Sequence, residues 1–403
     1  GWARGGAIYC ATNTSPKFIN CLIENNAAQG GNGGNGGGFS DGGGLANYGG
    51  NYTPPVMVDI NPERLGATAV TTDLWKIWEW DYATYVQLVF ASDGYSSDLT
   101  NVPLGGGSYA GDYRWYSGYG GGVFIDAASK AEFVECTIRG NRTLGGMSGQ
   151  GGAQPPLGRL TEPLIAYEVP SYGGGVYCAA DTVVTFRECN FENNTASAAA
   201  GNFRMDPYIG YGGGVAGEST ADVLFVDCNF VDNEADTGGA IYLADATARL
   251  IDTRMATNVA IRGAGLAGVG GEVSVAGCEV KNNTALVGPN DVAGDGIVAM
   301  GAGLFFSSAT ADIYDCNIAG NMSQGSGGGI YLRGENSSAI NNCLIRGNYA
   351  ARDGGGISTN WYATPTISNC TVYANAAGDP NSEVGYGGGL FCGYYSDAQV
   401  IDC

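Results

Sequence analysis

The stretch FRECNFENN, residues 186–194, is one of nine copies of a short phrase that runs along this 403-residue chain. Each copy has an apolar residue, two variable positions, usually a cysteine, an apolar residue two places on, and an asparagine three residues later. The others are FINCLIENN (18–26), FVECTIRGN (133–141), FVDCNFVDN (225–233), LIDTRMATN (250–258), VSVAGCEVKNN (273–283), IYDCNIAGN (313–321), INNCLIRGN (340–348) and ISNCTVYAN (367–375), and VIDC (400–403) begins a tenth. A unit this short cannot bury its own apolar face, so the phrase predicts copies stacked on one another.

The spacing and the alternation of the phrase predict the shape of one unit. The shortest interval between successive cysteine positions is 25 residues, which suits a rung of three short strands and three turns. Apolar and polar residues alternate as in strands rather than helices. In residues 186–194 we expect Phe186, Cys189 and Phe191 to point inward, and Arg187 and Glu188 to span a turn.

Two corners of the rung carry recognisable residues. Glycine clusters such as GGAIYC (5–10) and GGGVYC (173–178) supply positive φ and close backbone approach at one corner. At another corner, stacked asparagine amides are expected to hydrogen-bond to the rungs above and below. The asparagines of this predicted ladder are Asn26, Asn141, Asn194, Asn233, Asn258, Asn283, Asn321, Asn348 and Asn375.

Variation in rung length falls between the asparagine and the next glycine cluster. The insertions span 28–119, 144–172, 197–211, 286–300 and 376–386. All five therefore leave from one corner and are predicted to decorate one side of the solenoid, where repeat proteins often keep a binding surface.

Paired GGAI and FxxN motifs mark the repeats, with GGAI at 5–8 and 238–241 and FxxN at 191–194 and 230–233. In these motifs the chain resembles the polymorphic outer-membrane and autotransporter-passenger type of right-handed parallel β-helix. The resemblance implies an all-β, right-handed parallel β-helix, here of about ten rungs with insertions from one corner. It also implies a secreted or surface-displayed protein, an adhesin or a structural fibre.

The composition of the chain and the places where it begins and ends limit the classes of partner that it can have. The net charge of −21 with four lysines disfavours nucleic acid and anionic membranes, and it suits cations, with calcium a candidate ligand. No apolar stretch is long enough to be a transmembrane segment. The repeats predict a single solenoid over 1–403. Because the chain begins and ends within a rung, we expect it to be a segment of a larger protein, or a fibre subunit that associates end to end or side by side.

Nine of the twelve cysteines occupy the repeat position, and the other three each precede one of those nine by 11 residues. They are interpreted as small buried apolar side chains, with a bridge across the core of one rung as the alternative. The candidate disulfides are Cys10–Cys21, Cys178–Cys189 and Cys392–Cys403. With no CxxC motif and no histidine, no metal site is predicted.

The insertion 28–119 carries LWKIWEWDYATYVQLVF (74–90) and GDYRWYSGYG (111–120). Its aromatic rings could stack on sugars, form a small core that pins the insertion to the solenoid, or make a subunit interface. The candidate ligand-binding residues are Trp75, Trp78, Trp80, Asp81, Asp112 and Trp115.

An enzyme is the weakest of three hypotheses. Parallel β-helices include pectate lyases and polygalacturonases, but a histidine-dependent site is excluded and the arginines are scattered. A carboxylate pair for glycoside hydrolysis stays open. The sequence favours an extracellular structural or adhesive protein, a subunit of a surface fibre, filament or layer, without catalytic residues or cofactor. The alternatives are a monomeric adhesin or glycan-binding module that uses insertion 28–119 to contact a glycan or host-cell ligand, and a polysaccharide lyase or hydrolase.

Overall fold

A computed structural model describes residues 3–30, 117–145, 170–197, 210–287, 299–378 and 385–403. Within these ranges the chain forms 41 short strands. Neighbouring strands pair in parallel, each with the equivalent strand of the next rung. The result is a parallel β-helix of ten rungs, as the repeats predicted. The described ranges contain no helix that is long and apolar enough to span a membrane.

Two sheets of ten strands run the length of the solenoid. The first sheet follows the glycine clusters, and its strands are Ile8–Cys10, Val123–Ile125, Val176–Cys178, Val215–Glu218, Ile241–Ala244, Leu266–Val269, Leu304–Ser307, Ile330–Arg333, Ile357–Asn360 and Leu390–Cys392. The second sheet precedes the cysteines, and its strands are Lys17–Ile19, Lys130–Val134, Val183–Arg187, Asp222–Val226, Thr247–Ile251, Glu272–Ala276, Thr310–Tyr314, Ala339–Asn341, Thr366–Ser368 and Gln399–Ile401.

The third sheet lies between the cysteine and the asparagine of each copy. Its nine strands are Leu22–Glu24, Thr137–Arg139, Asn190–Glu192, Asn229–Val231, Arg254–Ala256, Glu279–Lys281, Asn317–Ala319, Leu344–Arg346 and Thr371–Tyr373.

Shorter strands frame the corner where the rung length varies. After the asparagine come Ala27–Gln29, Arg142–Leu144 and Thr195–Ser197, then Val259–Ala260, Thr284–Ala285, Met322–Ser323, Tyr349–Ala350 and Ala376–Ala377. Before the glycine clusters come Ala3–Arg4, Gly118–Tyr119, Ser171–Tyr172 and Gly210–Tyr211, called here the return strands. Isolated bridges through Thr237, Arg262, Met300 and Ser326 continue the return strands along the solenoid.

Inward residues stack in columns to form the core. Phe18, Phe133, Phe186 and Phe225 lie in register on the second sheet, with ring centroids 4.6–5.2 Å apart. Phe191 stacks on the equivalent ring of the next rung at 4.3 Å. Phe186, Cys189 and Phe191 are buried as predicted, whereas Arg187 and Glu188 are exposed. Each fully buried phenylalanine contributes roughly 1.5–3 kcal/mol of apolar burial.

The corners depend on left-handed backbone. In the glycine cluster 173–175, Gly173 has φ +63°, and a Cβ on Gly174 would lie 2.4 Å from the Gly213 carbonyl oxygen of the next rung. The predicted roles of these glycines are confirmed. The residue before each repeat cysteine position, and the residue before each ladder asparagine, also have left-handed backbone. Examples are Glu188 (φ 52°) before Cys189 and Asn193 (φ 53°) before Asn194. The repeat pattern alone did not predict this feature.

The five insertions leave from one corner, as their described ends show. In each case the chain departs after a short strand that follows the ladder asparagine and returns just before a glycine cluster. The predicted limits were too wide, because Ala27–Gln29 and Gly118–Tyr119 at the ends of 28–119 still belong to the solenoid and pair with strands of neighbouring rungs. These strands of two or three residues are too short to give a periodic signal.

Candidate functional site

The six candidate ligand-binding residues of insertion 28–119 lie outside the described residues. Trp75, Trp78, Trp80, Asp81, Asp112 and Trp115 all fall within 31–116. Their role in sugar contact, in an insertion core or in an interface stays a prediction.

The asparagine ladder is formed as predicted and is continuous from Asn26 to Asn375. In each of its eight links the side-chain Nδ2 donates to Oδ1 of the asparagine in the next rung, at 2.9–3.1 Å. The same Oδ1 accepts the backbone N–H of the preceding asparagine, as Asn258 Oδ1 does from Asn233 at 2.9 Å. The second Nδ2 hydrogen of Asn258 is donated to the Phe230 carbonyl at 3.1 Å. Every polar atom of such a buried amide is used, so the ladder holds the rungs together and leaves no group for a ligand.

The repeat cysteines form a second column at the other end of the third sheet. Their Sγ atoms lie close to two carbonyl oxygens, one in the same turn and one in the preceding rung, as with Cys316 to Tyr314 at 3.2 Å and to Val275 at 3.3 Å. Thr253 takes the cysteine position in one rung, and its hydroxyl donates to the Ile251 carbonyl at 3.1 Å. Burial raises the pKa of the Cys136 thiol to about 11. The Cys136 thiol is therefore a protonated hydrogen-bond donor at neutral pH.

All twelve cysteines are free thiols in the structure. None of the three candidate disulfides, Cys10–Cys21, Cys178–Cys189 and Cys392–Cys403, is formed in it. Cys189 instead interacts with Cys228 of the next rung, and Cys178 is fully buried. A bridge between the paired cysteines stays a prediction about the oxidised protein.

The outer side of the first sheet, beside the corner that carries the insertions, holds a packed group of aromatic side chains. We call it the tyrosine face. It comprises Tyr119, Tyr172 and Tyr211 on the return strands and Phe124, Tyr177 and Tyr242 on the first sheet. The rings stack within each column, at 5.2 Å for Tyr119 on Tyr172 and 5.2 Å for Phe124 on Tyr177. Tyr119 also meets Tyr177 edge to face at 4.8 Å, which joins the two columns.

Carboxylates hold the polar edge of the tyrosine face. The Tyr177 hydroxyl donates to Glu218 Oε2 at 2.8 Å, although Tyr177 points away from the core and is only 7% exposed. Burial raises the pKa of Tyr172, Tyr177 and Tyr242, and the negative charge of Glu218 raises each of them further. These phenols therefore stay protonated across the physiological range.

At one end of the same side, Tyr9 donates to Asp126 Oδ2 at 2.5 Å and the Arg4 guanidinium lies 3.9 Å from that carboxylate. Arg4 also lies over the Phe124 ring at 4.9 Å. Partial burial opposes ionisation of Asp126, but the Tyr9 and Ala127 hydrogen bonds outweigh it and lower the pKa of Asp126. This cluster is an ion-paired edge of the aromatic layer.

A second aromatic group lies at the turn between the first and second sheets of two successive rungs. Trp361 stacks on Tyr394 at 5.0 Å, and Tyr362 stacks on Tyr395 at 5.2 Å. Trp361 and Tyr362 are 49% and 56% exposed. All four have left-handed backbone, with φ between 43° and 67°, which costs an L-residue about 1–2 kcal/mol.

The sequence carries a partial signal for the tyrosine face, which lies outside the repeated phrase. A tyrosine precedes the glycines at 119, 172 and 211, and another follows them at 177. Among the residues that the structure describes, no three His, Cys, Asp or Glu side chains come together in a way that could hold a metal ion.

Comparison with known protein families agrees with the fold seen in the structure. A family model described as the right-handed β-helix region matches residues 121–302 and 213–403, which together cover more than half of the chain. No curated protein and no solved structure matches the chain.

Proposed function

The chain belongs to the right-handed β-helix family, and on that premise we propose that it is an extracellular structural or adhesive protein. In this proposal the solenoid is a stiff scaffold, and the insertions at one corner carry contacts to other copies or to a surface ligand.

The observation that carries the proposal is the shared point of departure of all five insertions. Each one leaves after the asparagine corner, and four of the five return on a strand, or at a bridged residue, in the row of Tyr119, Tyr172, Tyr211 and Met300. Variable segments gathered on one side of a repeat protein are typical of a binding surface. The tyrosine face gives that side a rigid base.

The scaffold itself is built for stiffness. The asparagine ladder and the cysteine column repeat with little change along the solenoid, and the buried column of four phenylalanines on the second sheet continues with leucine, valine and isoleucine. Each rung contacts mainly its two neighbours, and such a quasi-one-dimensional body can be extended by further units. These features favour a load-bearing role.

Catalysis is not part of the proposal. A general acid that works near neutral pH needs a raised carboxyl pKa, whereas ion pairs and hydrogen bonds lower the pKa of Asp126 and of Glu279. The Glu279 carboxylate contacts Lys281 and Arg254 on the outer side of the third sheet. Such pairs are typical of a solvated surface.

The extracellular location is supported by the resemblance of the GGAI and FxxN motifs to polymorphic outer-membrane and autotransporter-passenger repeats. The charge of −21 also suits a surface exposed to calcium. Self-association, a glycan or host-cell ligand, and calcium binding are parts of the proposal.

The test uses the whole chain and a variant in which residues 31–116 are replaced by a short Gly-Ser linker. Sedimentation velocity from micromolar to millimolar concentration, with and without calcium, measures self-association, and a glycan array measures adhesion. We expect the parent to assemble or to bind the array, and the variant to keep its β-type circular dichroism while losing that property. A parent that is monomeric at every concentration and silent on the array would overturn the proposal. So would a variant that assembles and binds as well as the parent.

A further inference from the structure

The turn between the first and second sheets has two aromatic rungs above a rung that lacks them. The strands before the turn pair Arg333 with Asn360 and Thr359 with Cys392. Continued by one residue from the first pair and by two residues from the second, this register places Gly334, Trp361 and Tyr394 in one column. Glu335, Tyr362 and Tyr395 form the adjacent column.

The indole of Trp361 therefore has two unlike neighbours. One ring face stacks on Tyr394, with the planes 7° from parallel. On the opposite side the register-matched residue is Gly334, which has no side chain. A Cβ at Gly334 would lie 2.3 Å from the Ser308 hydroxyl oxygen, so that hydroxyl lies beside the glycine. The exposed carboxylate of Glu335 belongs to the same turn.

Folding does not require aromatic residues at this turn. Equivalent left-handed positions in other rungs hold Ser219 and Thr220, or Gly270 and Gly271. Glycine adopts this backbone without strain, whereas tryptophan and tyrosine are outliers in it. Exposed rings held in a strained backbone point to a role outside the fold.

We propose that the Trp361 turn is a binding site for a neutral sugar chain. One pyranose ring stacks on the indole face above Gly334, and its hydroxyls bond to Glu335 and Ser308. The site lies at a different corner from the insertions, so it stands independently of the proposed function.

Three features select a neutral pyranose. The face of an aromatic ring carries negative electrostatic potential, which attracts the C–H hydrogens of a sugar face. A carboxylate and a hydroxyl beside the ring accept and donate hydrogen bonds to sugar hydroxyls. The net charge of −21 disfavours acidic polysaccharides.

Calorimetric titration of the whole chain with cellohexaose, xylohexaose, laminarihexaose and chitohexaose tests the site. We expect at least one to bind, and Trp361→Gly to weaken that affinity by about tenfold or more. Glycine suits the left-handed backbone, so this variant keeps the fold and its melting temperature does not fall. Ser219→Gly makes the same backbone change at the register-equivalent position of another rung, where the backbone is also left-handed, and it leaves the affinity unchanged.

A second variant, Gly334→Asn, keeps the indole but places a side chain below it, and we expect a similar loss of affinity. The proposal is overturned if none of the four sugars binds, or if the affinity survives both substitutions. Binding of tetramethylammonium that Trp361→Gly abolishes, without any sugar binding, would overturn it in favour of a cation site.

Discussion

Two sides of the β-helix differ in how much they change from rung to rung. Around the third sheet, a column of cysteines with one threonine and a column of asparagines repeat through the solenoid, and equivalent hydrogen bonds recur in most rungs. The side formed by the insertion corner, the tyrosine face and the Trp361 turn changes from one rung to the next. A phenol bonds to Glu218 in one place, and an ion pair joins Arg4 to Asp126 in another.

The difference separates what the fold needs from what it allows. A ladder residue serves two neighbouring rungs at once, so each substitution breaks bonds on both sides. A residue on the variable side contacts few partners and can be exchanged locally. We therefore expect the free energy of unfolding to depend strongly on the constant side and weakly on the variable one.

The largest effect is expected for Asn258→Ala. The substitution leaves the N–H and one Nδ2 hydrogen of Asn233 without their acceptor, and it removes the Nδ2 donor to the Phe230 carbonyl and to Asn283 Oδ1, all in a buried corner. Unsatisfied buried groups are costly, and we expect a loss of about 3–5 kcal/mol. Guanidinium unfolding followed by circular dichroism measures it.

Asn229→Ala is the matched control for the asparagine ladder. The Asn229 side chain accepts one exposed hydrogen bond from Arg254 at 3.0 Å, and its loss should cost no more than about 0.5 kcal/mol. Equal effects of the two substitutions would contradict a special role for the ladder.

A smaller effect on the constant side is expected at Thr253. Thr253→Val keeps the shape but removes the hydroxyl that donates to the Ile251 carbonyl and accepts the Cys228 N–H at 3.4 Å. The cost should be about 1–2 kcal/mol. Thr253→Cys restores the residue of the other rungs and should stay within about 0.5 kcal/mol of the parent. If valine is tolerated as well as cysteine, the column depends on volume and not on the hydrogen bonds.

The constant side could be predicted from the sequence because its information is periodic. A residue such as Asn258 recurs at the same place in each copy, and stacking converts that recurrence into contact. The left-handed positions before the repeat cysteines and before the ladder asparagines were not predicted. Several residue types occupy these positions, including Glu188, Asn193 and Thr257.

The variable side was harder to predict for a physical reason. Alternation places Tyr177 on the outer side of its strand, which suggests exposure. It is buried because the tyrosines of the return strands pack over it, and these strands lie beyond insertions that have no period. The aromatic residues of insertion 28–119 have no equivalents in other rungs, so no register could assign their neighbours.

On the variable side, Tyr177→Phe tests the tyrosine face. The ring stays packed, but Glu218 loses the hydrogen bond that it accepts from the Tyr177 hydroxyl at 2.8 Å. A hydrogen bond to a charged group supports a loss of about 1–2 kcal/mol, measured by the guanidinium midpoint. Tyr314→Phe, at a half-exposed ring on the second sheet, should change stability by less than about 0.5 kcal/mol. A Tyr177→Phe effect as large as that of Asn258→Ala would remove the contrast between the two sides.

The smallest expected effect is the pH dependence of the bond between Tyr9 and Asp126. The pKa of Asp126 is lowered in the folded state by the Tyr9 and Ala127 hydrogen bonds, against the opposing effect of partial burial. Its stabilisation is complete above the unfolded value of about 3.9 and is lost as the pH falls through the folded pKa. The pKa of Tyr9 is raised by the same bond. That contribution is complete below the unfolded value of about 10 and is lost as the pH rises through the folded pKa.

Because both groups are partly exposed, the bond contributes only a few tenths of a kcal/mol. Urea midpoints of the parent and Tyr9→Phe should differ most between about pH 5 and 9 and converge at either extreme. The absence of any difference from pH 2 to 11 would show that Tyr9 acts only through packing on Phe124, at 5.3 Å, because phenylalanine keeps the ring.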